Sequence, residues 1–371
     1  MVPGNLGHEL KLAGIGRYCA TRGWDVEAVE RKSFSTATLP EILRKRRPVG
    51  CVVEGINNED IPPPRLFGKV PVSYLECPPE AAGDAPDILV DDDAIAREAL
   101  RELSAGRPSC YAAVGSFRRQ WWSARRIRAF SRAVAAETGH RCAAFPFSGE
   151  SESFEEYLAR LSRWTAALPA NCAVFAVSDM IAKRIASIAA AASRGIPREL
   201  TLLSVDNHPE ICEACSPPVS SIQLDLERMG FLAAQALCDA GAARRRRRVV
   251  GPLLAVRRKS TSGRGRHEKF IIDAVAAIRR EARGGLTAGD LAARYPVSRR
   301  LFEMRFRDAT GHSVLDEIMH VRLEAVQAML ARPDIPIGAI ADFCGFTSYL
   351  TMQKAFRKRT GLTLGKWRRR L

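Results

Sequence analysis

A fourteen-residue pattern occurs twice in the last quarter of the chain, 50 residues apart, and it fixes what that quarter can fold into. Ser298 to Gly311 reads SRRLFEMRFRDATG and Ser348 to Gly361 reads SYLTMQKAFRKRTG, both fitting S-x7-F-R-x2-T-G. Apolar residues recur at helical spacing: Leu301, Met304 and Phe306 in one copy, Leu350, Met352, Ala355 and Phe356 in the other. A serine suited to capping opens each copy, and a glycine suited to a left-handed helix end closes it. A short alanine-rich helix precedes each, at Asp290 to Arg294 and at Ala339 to Phe343. Helix, tight turn and a second helix with an outer cationic face is the helix-turn-helix pattern, here in tandem.

Charge follows the same division. Residues 1–243 carry 28 Lys/Arg against 30 Asp/Glu, residues 244–262 carry 8 against 0, and residues 263–371 carry 21 against 11. The excess of +16 therefore lies in the tail, as expected of a phosphate-binding module joined to a near-neutral partner. No apolar run approaches the roughly 20 residues of a membrane helix. The first residues lack the basic and apolar regions of a secretory signal, and the 10 cysteines are scattered in apolar runs, so a cytoplasmic setting without membrane contact is expected.

Ahead of the tail, short apolar runs alternate with helical patterns. Gly50 to Glu54, Val70 to Leu75, Cys110 to Gly115, Cys172 to Val177 and Leu202 to Val205 read as buried strands. Asp93 to Leu103, Ser123 to Thr138 and Asp179 to Ser193 read as helices between them. Such alternation implies parallel, doubly wound sheets, whose ligands sit beyond the carboxyl ends of the strands. Glu54, Glu76, Ser116, Ser178, Asp179, Asp206 and Asn207 fall at those ends. Val249 to Val256 reads as one last strand, flanked by Arg244 to Arg248 and by Arg257, Arg258 and Lys259. Phe270 to Arg283 and Ser313 to Leu330 read as further helices.

The stretches VDDDAIAREALREL from Val90, WWSARRIRAF from Trp121, AVSDMIAKRIA from Ala176 and LSVDNHPEICEACSPPVSSIQLDLERMG from Leu203 resemble the effector domain of LacI/GalR-type repressors, which share the periplasmic sugar-binding fold. Residues 263–371 resemble the AraC-type double helix-turn-helix domain. The two in this order are similar to xylose-operon regulators, and Leu10 to Tyr18 fits the first helix of their sensor. The resemblance implies a periplasmic-binding-protein-like α/β sensor over 1–259, a linker over 260–266, and an all-α DNA-binding domain over 267–371 with motifs at about 286–308 and 336–359. Two departures stand out. The strand expected before the first helix does not occur ahead of Leu10, which implies either a start further upstream or a sheet short of one strand, and Ser178-Asp179 stands where relatives place an Asn-Asp pair.

Monosaccharide sites need bidentate polar groups and an aromatic face. By resemblance Arg126 and Asp206 hold the effector, Ser178 and Asp179 form another contacting turn, and Glu76 sits at a further polar contact. Trp121 and Trp122 are candidates for the stacking face. In the tail, the outer face of the first motif carries Arg300, Glu303 and Met304, of which Arg300 and Met304 match groove-reading positions of the family. The outer face of the second carries Tyr349, Leu350, Gln353 and Lys354. Arg299, Arg305, His312 and Lys358 are placed for phosphates, and Leu301, Phe306 and Phe356 for the core.

These readings describe a transcription regulator that binds duplex DNA and a small effector, a sugar such as a pentose, as a homodimer that contacts RNA polymerase if it activates. No cofactor, metal or catalytic group is expected. Cys212-Glu-Ala-Cys215 lacks the second ligand pair of a zinc site and reads as two loop thiols. One rival is a DNA-binding regulator whose sensor has lost its ligand. Another is a DNA-repair alkyl acceptor, which would need an activated cysteine in a Pro-Cys-His-Arg setting, and that setting does not occur.

Overall fold

A computed structural model describes residues 6–29, 36–55, 61–118, 120–149, 151–238, 247–261, 269–330, 332 and 335–369. Arg244 to Arg246 and residues 262–266 of the expected linker lie outside these. The chain divides into two compact units, Met1–Gly265 and Arg266–Leu371.

The first unit contains two sheets. One has the order β1 (Cys51–Glu54), β2 (Val72–Leu75), β3 (Asp87–Val90), β9 (Arg247–Val250), all parallel. The other has the order β10 (Pro252–Val256), β8 (Ser220–Leu224), β7 (Leu200–Val205), β6 (Cys172–Ala176), β4 (Cys110–Val114), β5 (Cys142–Ala144). Its pairs are parallel except β10 with β8. Every residue of β6 and β7 is buried, the pattern of strands covered on both faces. Helices α1 (Leu6–Ala20) and α8 (Leu226–Ala236) pair along the first sheet, and α2 (Leu39–Arg46) lies before β1. The second sheet is flanked by α3 (Asp92–Ser104), α4 (Trp121–Thr138), α5 (Phe154–Ala167) and α6 (Asp179–Ala191), with a single turn, α7 (Pro209–Cys212), after β7.

The chain passes between these lobes at Asp91, Asp225 and Gly251. Two of the crossings begin helices. Asp91 accepts from the Ala94 N–H at 2.9 Å to cap α3, and Asp225 accepts from the Arg228 N–H at 3.2 Å to cap α8. The Asp91 N–H donates to the Val250 carbonyl at 2.9 Å, tying the first crossing to the third.

Val249 to Val256 is two strands rather than one. Gly251 breaks the run, and its halves join different sheets. No strand is expected from the sequence at β3, β5 or β8 and no helix at α2, α5 or α8, although α5 carries a complete capping box between Ser153 and Glu156. Among the described residues no strand precedes Cys51, and β1, at the sheet edge, is half-buried throughout.

Helix α1 is seated by two glycines. A Cβ on Gly14 would lie 1.8 Å from the Glu227 carbonyl oxygen, and one on Gly230 would lie 1.9 Å from that of Lys11. Both obstacles are backbone, which cannot swing aside.

In the second unit the repeat template becomes physical. Ser298 and Ser348 accept from the N–H groups of Leu301 and Thr351 at the starts of α11 (Arg299–Thr310) and α14 (Tyr349–Thr360). Thr310 and Thr360 each donate a hydroxyl to the phenylalanine carbonyl four residues back, Phe306 and Phe356, at 2.8 Å. Gly311 and Gly361 close the helices in the left-handed region, at φ 77° and 71°. Each helix follows a short one: α10 (Ala288–Ala292), with a Thr287–Asp290 capping box, and α13 (Ile340–Phe343). Between the motifs runs α12 (Val314–Leu330), with α9 (Lys269–Glu281) before and α15 (Leu364–Arg368) after. Phe302, Tyr295 and Phe270 stack in the first half, and Phe356 and Trp367 meet edge to face in the second. Leu301, expected to face inward, is only half-buried, because fully buried Phe302 takes that position.

Gly230→Ala should therefore destabilise the first unit by about 1–3 kcal/mol through overpacking. Gly16→Ala, with open space around its Cβ, should be neutral or stabilising. Thermal melting of the two variants beside the parent checks the contrast.

Candidate effector cleft and DNA-facing helices

The polar ends of strands from both sheets meet in one charged cleft. Arg126, on α4, is 4% exposed. Its Nη1 donates to the Val177 carbonyl at 2.8 Å and lies 3.5 Å from Asp206, while its Nε lies 3.6 Å from Asp92. The guanidinium stands over the Trp122 ring, 5.1 Å from its centroid, so one face of that indole is already occupied. From the other sheet come Glu54 and Glu76, both paired with Lys11, which is itself 3% exposed. His8 reaches the second oxygen of Glu54 at 2.6 Å.

Burial works against the charge of Lys11, but Glu76 and Glu54 overcome it and raise its pKa to about 12. Burial likewise opposes ionisation of Glu54, which Lys11 and His8 nevertheless hold below the usual carboxylate range. Asp206 goes the other way. Burial pushes its carboxyl up to about 7, Arg126 opposes the shift, and Asp179 and Glu76 add to it. The end of β7 thus feels the end of β2 across the cleft.

Glu76, Asp206 and Asn207 all have positive φ, at 51°, 104° and 54°, a backbone region costly for side-chain-bearing residues. The buried Asn207 Oδ1 and Trp122 indole N–H have no hydrogen-bond partner among the described residues. Ser178 is half-buried at the start of α6 and makes no capping bond with its hydroxyl.

Asp179 is arranged differently. It is 1% exposed, and its oxygens accept from the Ser204 hydroxyl at 2.5 Å, the Ser221 hydroxyl at 2.6 Å and the His208 N–H at 2.7 Å. Its bonds tie α6 to β7, β8 and the turn before α7. The structure thus brings Arg126, Asp206, Trp122 and Glu76 into one cleft, and gives Asp179 a fastening role beside it. Sequence reasoning missed Lys11 and Asp92 as members. Lys11 lies in a helix where a solvated lysine is the ordinary expectation, and only the fold shows it facing two carboxylates.

In the second unit, Arg300, Met304, Tyr349, Leu350, Lys354, His312 and Lys358 are exposed, whereas Gln353 and Arg305 are half-buried. Met304 and Leu350 are 53% and 63% exposed, large apolar side chains left in solvent on the two outer helix faces. Phe343, at the end of α13, is 59% exposed and was not singled out from the sequence. Arg299 and Glu303 form an i,i+4 ion pair at 2.9 Å. A surface pair of this kind is weak and easily exchanged for another partner. Among the described residues no group of three or more His, Cys, Asp or Glu is arranged to hold a metal. Cys212 and Cys215 are buried free thiols. No described helix is long and apolar enough to cross a membrane.

A periplasmic binding protein-like domain matches residues 98–261, and a helix-turn-helix domain matches residues 291–370. The chain is 25% identical over 287 residues to the xylose operon regulatory protein of Escherichia coli (strain K12), covering 76% of this chain and 73% of that relative. It is 33% identical over 85 residues to the RCS-specific HTH-type transcriptional activator RclR of the same strain, covering 23% and 30%. Among solved structures, the xylose-binding transcription activator xylR matches with a TM-score of 0.54 and 20% identity over 100% of this chain and 96% of that one. A complex of the transcriptional regulator CelR with cellobiose matches with a TM-score of 0.55 and 20% identity over 68% and 79%. The chain thus joins a periplasmic binding protein-like α/β unit to a helical helix-turn-helix unit, and is homologous to xylose operon regulators.

Two outcomes follow for the cleft. Asp179→Ala strands the donors of two buried hydroxyls and one N–H, and should cost about 3 kcal/mol in denaturant unfolding. Asp206 has a folded pKa above its unfolded one, so its contribution to stability is complete below about pH 4 and is lost as pH rises through about 7. Urea midpoints of the parent should therefore fall between pH 5 and pH 8 by more than those of Asp206→Asn.

Proposed function

We propose that the chain is a cytoplasmic transcription regulator. In this reading its first unit binds a small polyhydroxylated effector, a sugar such as a pentose, and controls how the tandem helix-turn-helix unit engages duplex DNA. The observation that carries the effector half is the cleft itself. Paired charges from two sheets, unpartnered buried polar atoms at Asn207 and Trp122, and strained backbone at Glu76 and Asp206 suit a neutral, hydroxyl-rich ligand better than an ion. Arg126, Asp206, Ser178 and Glu76 are its contacts, with Trp122 at the wall and Asp179 holding the contact turn in place. Homology to the xylose operon regulatory protein supports a sugar.

On the DNA side, Arg300, Glu303 and Met304 read bases from α11, and Tyr349, Leu350, Gln353 and Lys354 from α14. Arg299, Arg305, His312 and Lys358 meet phosphates. The linking helix α12 holds the two readers about one turn of DNA apart. Effector binding closes the cleft and shifts the geometry of a homodimer, aligning two tails on repeated half-sites. If the outcome is activation, RNA polymerase is the further partner.

A thermal-shift screen of pentoses and hexoses tests the effector half. One sugar should stabilise the parent, and Arg126→Ala and Asp206→Ala should abolish that shift without loss of DNA binding. Silence toward every sugar, with both variants leaving expression unchanged, favours a ligand-independent regulator. For DNA, Arg300→Ala should cost roughly 1–3 kcal/mol at one base position and relax preference there, whereas Arg299→Ala should weaken all sequences alike. Equal losses on specific and random duplexes would remove Arg300 from base reading.

A further inference from the structure

A cavity of about 590 Å³ lies beside the first lobe crossing, lined in part by Asp91, Asp92 and Asp93. Its character is set by five arginines: Arg97, Arg125, Arg128, Arg132 and Arg247. Arg125, Arg128 and Arg132 are three and four residues apart and so form one stripe on α4, while Arg97 comes from α3 and Arg247 from β9. Asp91, Asp92 and Asp93 are the carboxylates of the lining, and Asp87 lies behind Arg247, so five guanidinium groups meet four carboxylates.

The pairing is uneven. Arg125 holds Asp92 at 3.0 Å, Arg132 holds Asp93 at 2.7 Å, and Arg247 holds Asp87 at 3.0 Å. Arg97 and Arg128 are exposed and have no ion pair among the described residues. Two exposed guanidinium groups without an ion pair thus share the cavity with three others, an arrangement that attracts an anion, most strongly at low ionic strength. Pro79, Val90, Ala129 and Val249 add apolar lining among the arginines, and Val249 is 54% exposed. The volume falls in the range of small-molecule sites.

We propose that this cavity binds a phosphate group, free or carried on a small molecule such as a sugar phosphate, through the forked donors of Arg97 and Arg128 with Arg125 as the third. Planar guanidinium forks match phosphate oxygens two at a time. The carbon skeleton of a phosphate ester would lie against Val249 and Pro79. The site also adjoins the effector cleft through one shared group, because Asp92 serves Arg125 here and Arg126 there. An anion that draws Arg125 away leaves Asp92 to Arg126 and weakens the hold of Arg126 on Asp206.

The proposal is independent of the sugar assignment in the cleft. Calorimetric titration of the full-length chain with inorganic phosphate, glucose 6-phosphate and glucose, at constant ionic strength, tests it. Saturable binding is expected for phosphate, for the sugar phosphate, or for both, and none for glucose through these residues. Arg97→Gln combined with Arg128→Gln should weaken it about tenfold or more, near 1.4 kcal/mol. Arg163→Gln, at another exposed position, should leave it unchanged. Tighter binding of glucose 6-phosphate than of phosphate identifies an ester as the ligand, and equal binding identifies the free anion. Undiminished binding by the double variant overturns the proposal, as does a signal that sodium chloride reproduces. So does loss of duplex DNA affinity in the double variant when the parent binds no phosphate, which would place these arginines on a nucleic-acid path. Both side chains are exposed and unpaired, so folding of the variants is readily verified by circular dichroism.

Discussion

A buried ammonium group keeps its charge only if anions are brought to it, and that requirement organises the first unit. Lys11 is 3% exposed, and Glu54 and Glu76 meet it from the ends of adjacent strands. For this to happen α1 must lie close against α8, which is why glycine stands on both sides of that contact. On the second lobe the buried Arg126 is met by Asp92, Asp206 and the Val177 carbonyl. The cleft is therefore two charge clusters, one per sheet, facing each other with Asp206 under the influence of both.

Much of this was legible beforehand, for identifiable reasons. Strands such as Cys172 to Ala176 announce themselves because both faces are covered and every residue must be apolar. The repeat was legible because each of its fixed letters has one job: Ser caps, Phe fills the core, Thr returns a hydroxyl to the helix, Gly ends it. Asp206 could be singled out because it follows a strand end, and Arg126 because its stretch resembles that of LacI/GalR-type repressors. Lys11 could not, because periodicity says which face of a helix is apolar but not which lysine will be enclosed. Gly251 was misread for a related reason. An apolar run split between two sheets looks the same as one long strand until the topology is known. Leu301 and Phe302 exchanged roles because adjacent apolar residues leave the phase of a short helix open by a third of a turn.

The two helix-turn-helix copies show how one scaffold supports different surfaces. Caps, core phenylalanine and terminal hydroxyl bond coincide between α11 and α14, while their exposed faces share almost no chemistry. The first carries the exposed pair of Arg299 and Glu303. The second presents Tyr349 and Leu350 with no carboxylate beside them on the helix. The first face is thus the more polar and charged of the two, and the second carries more apolar surface beside its cations.

The aspartates at the lobe crossings have a mechanical meaning. Asp91 and Asp225 stand where the chain leaves one sheet, and each fastens the first turn of the helix that follows. Each of these crossings is thus set by one carboxylate, which fixes where a strand gives way to a helix and leaves the rungs of both sheets to other residues.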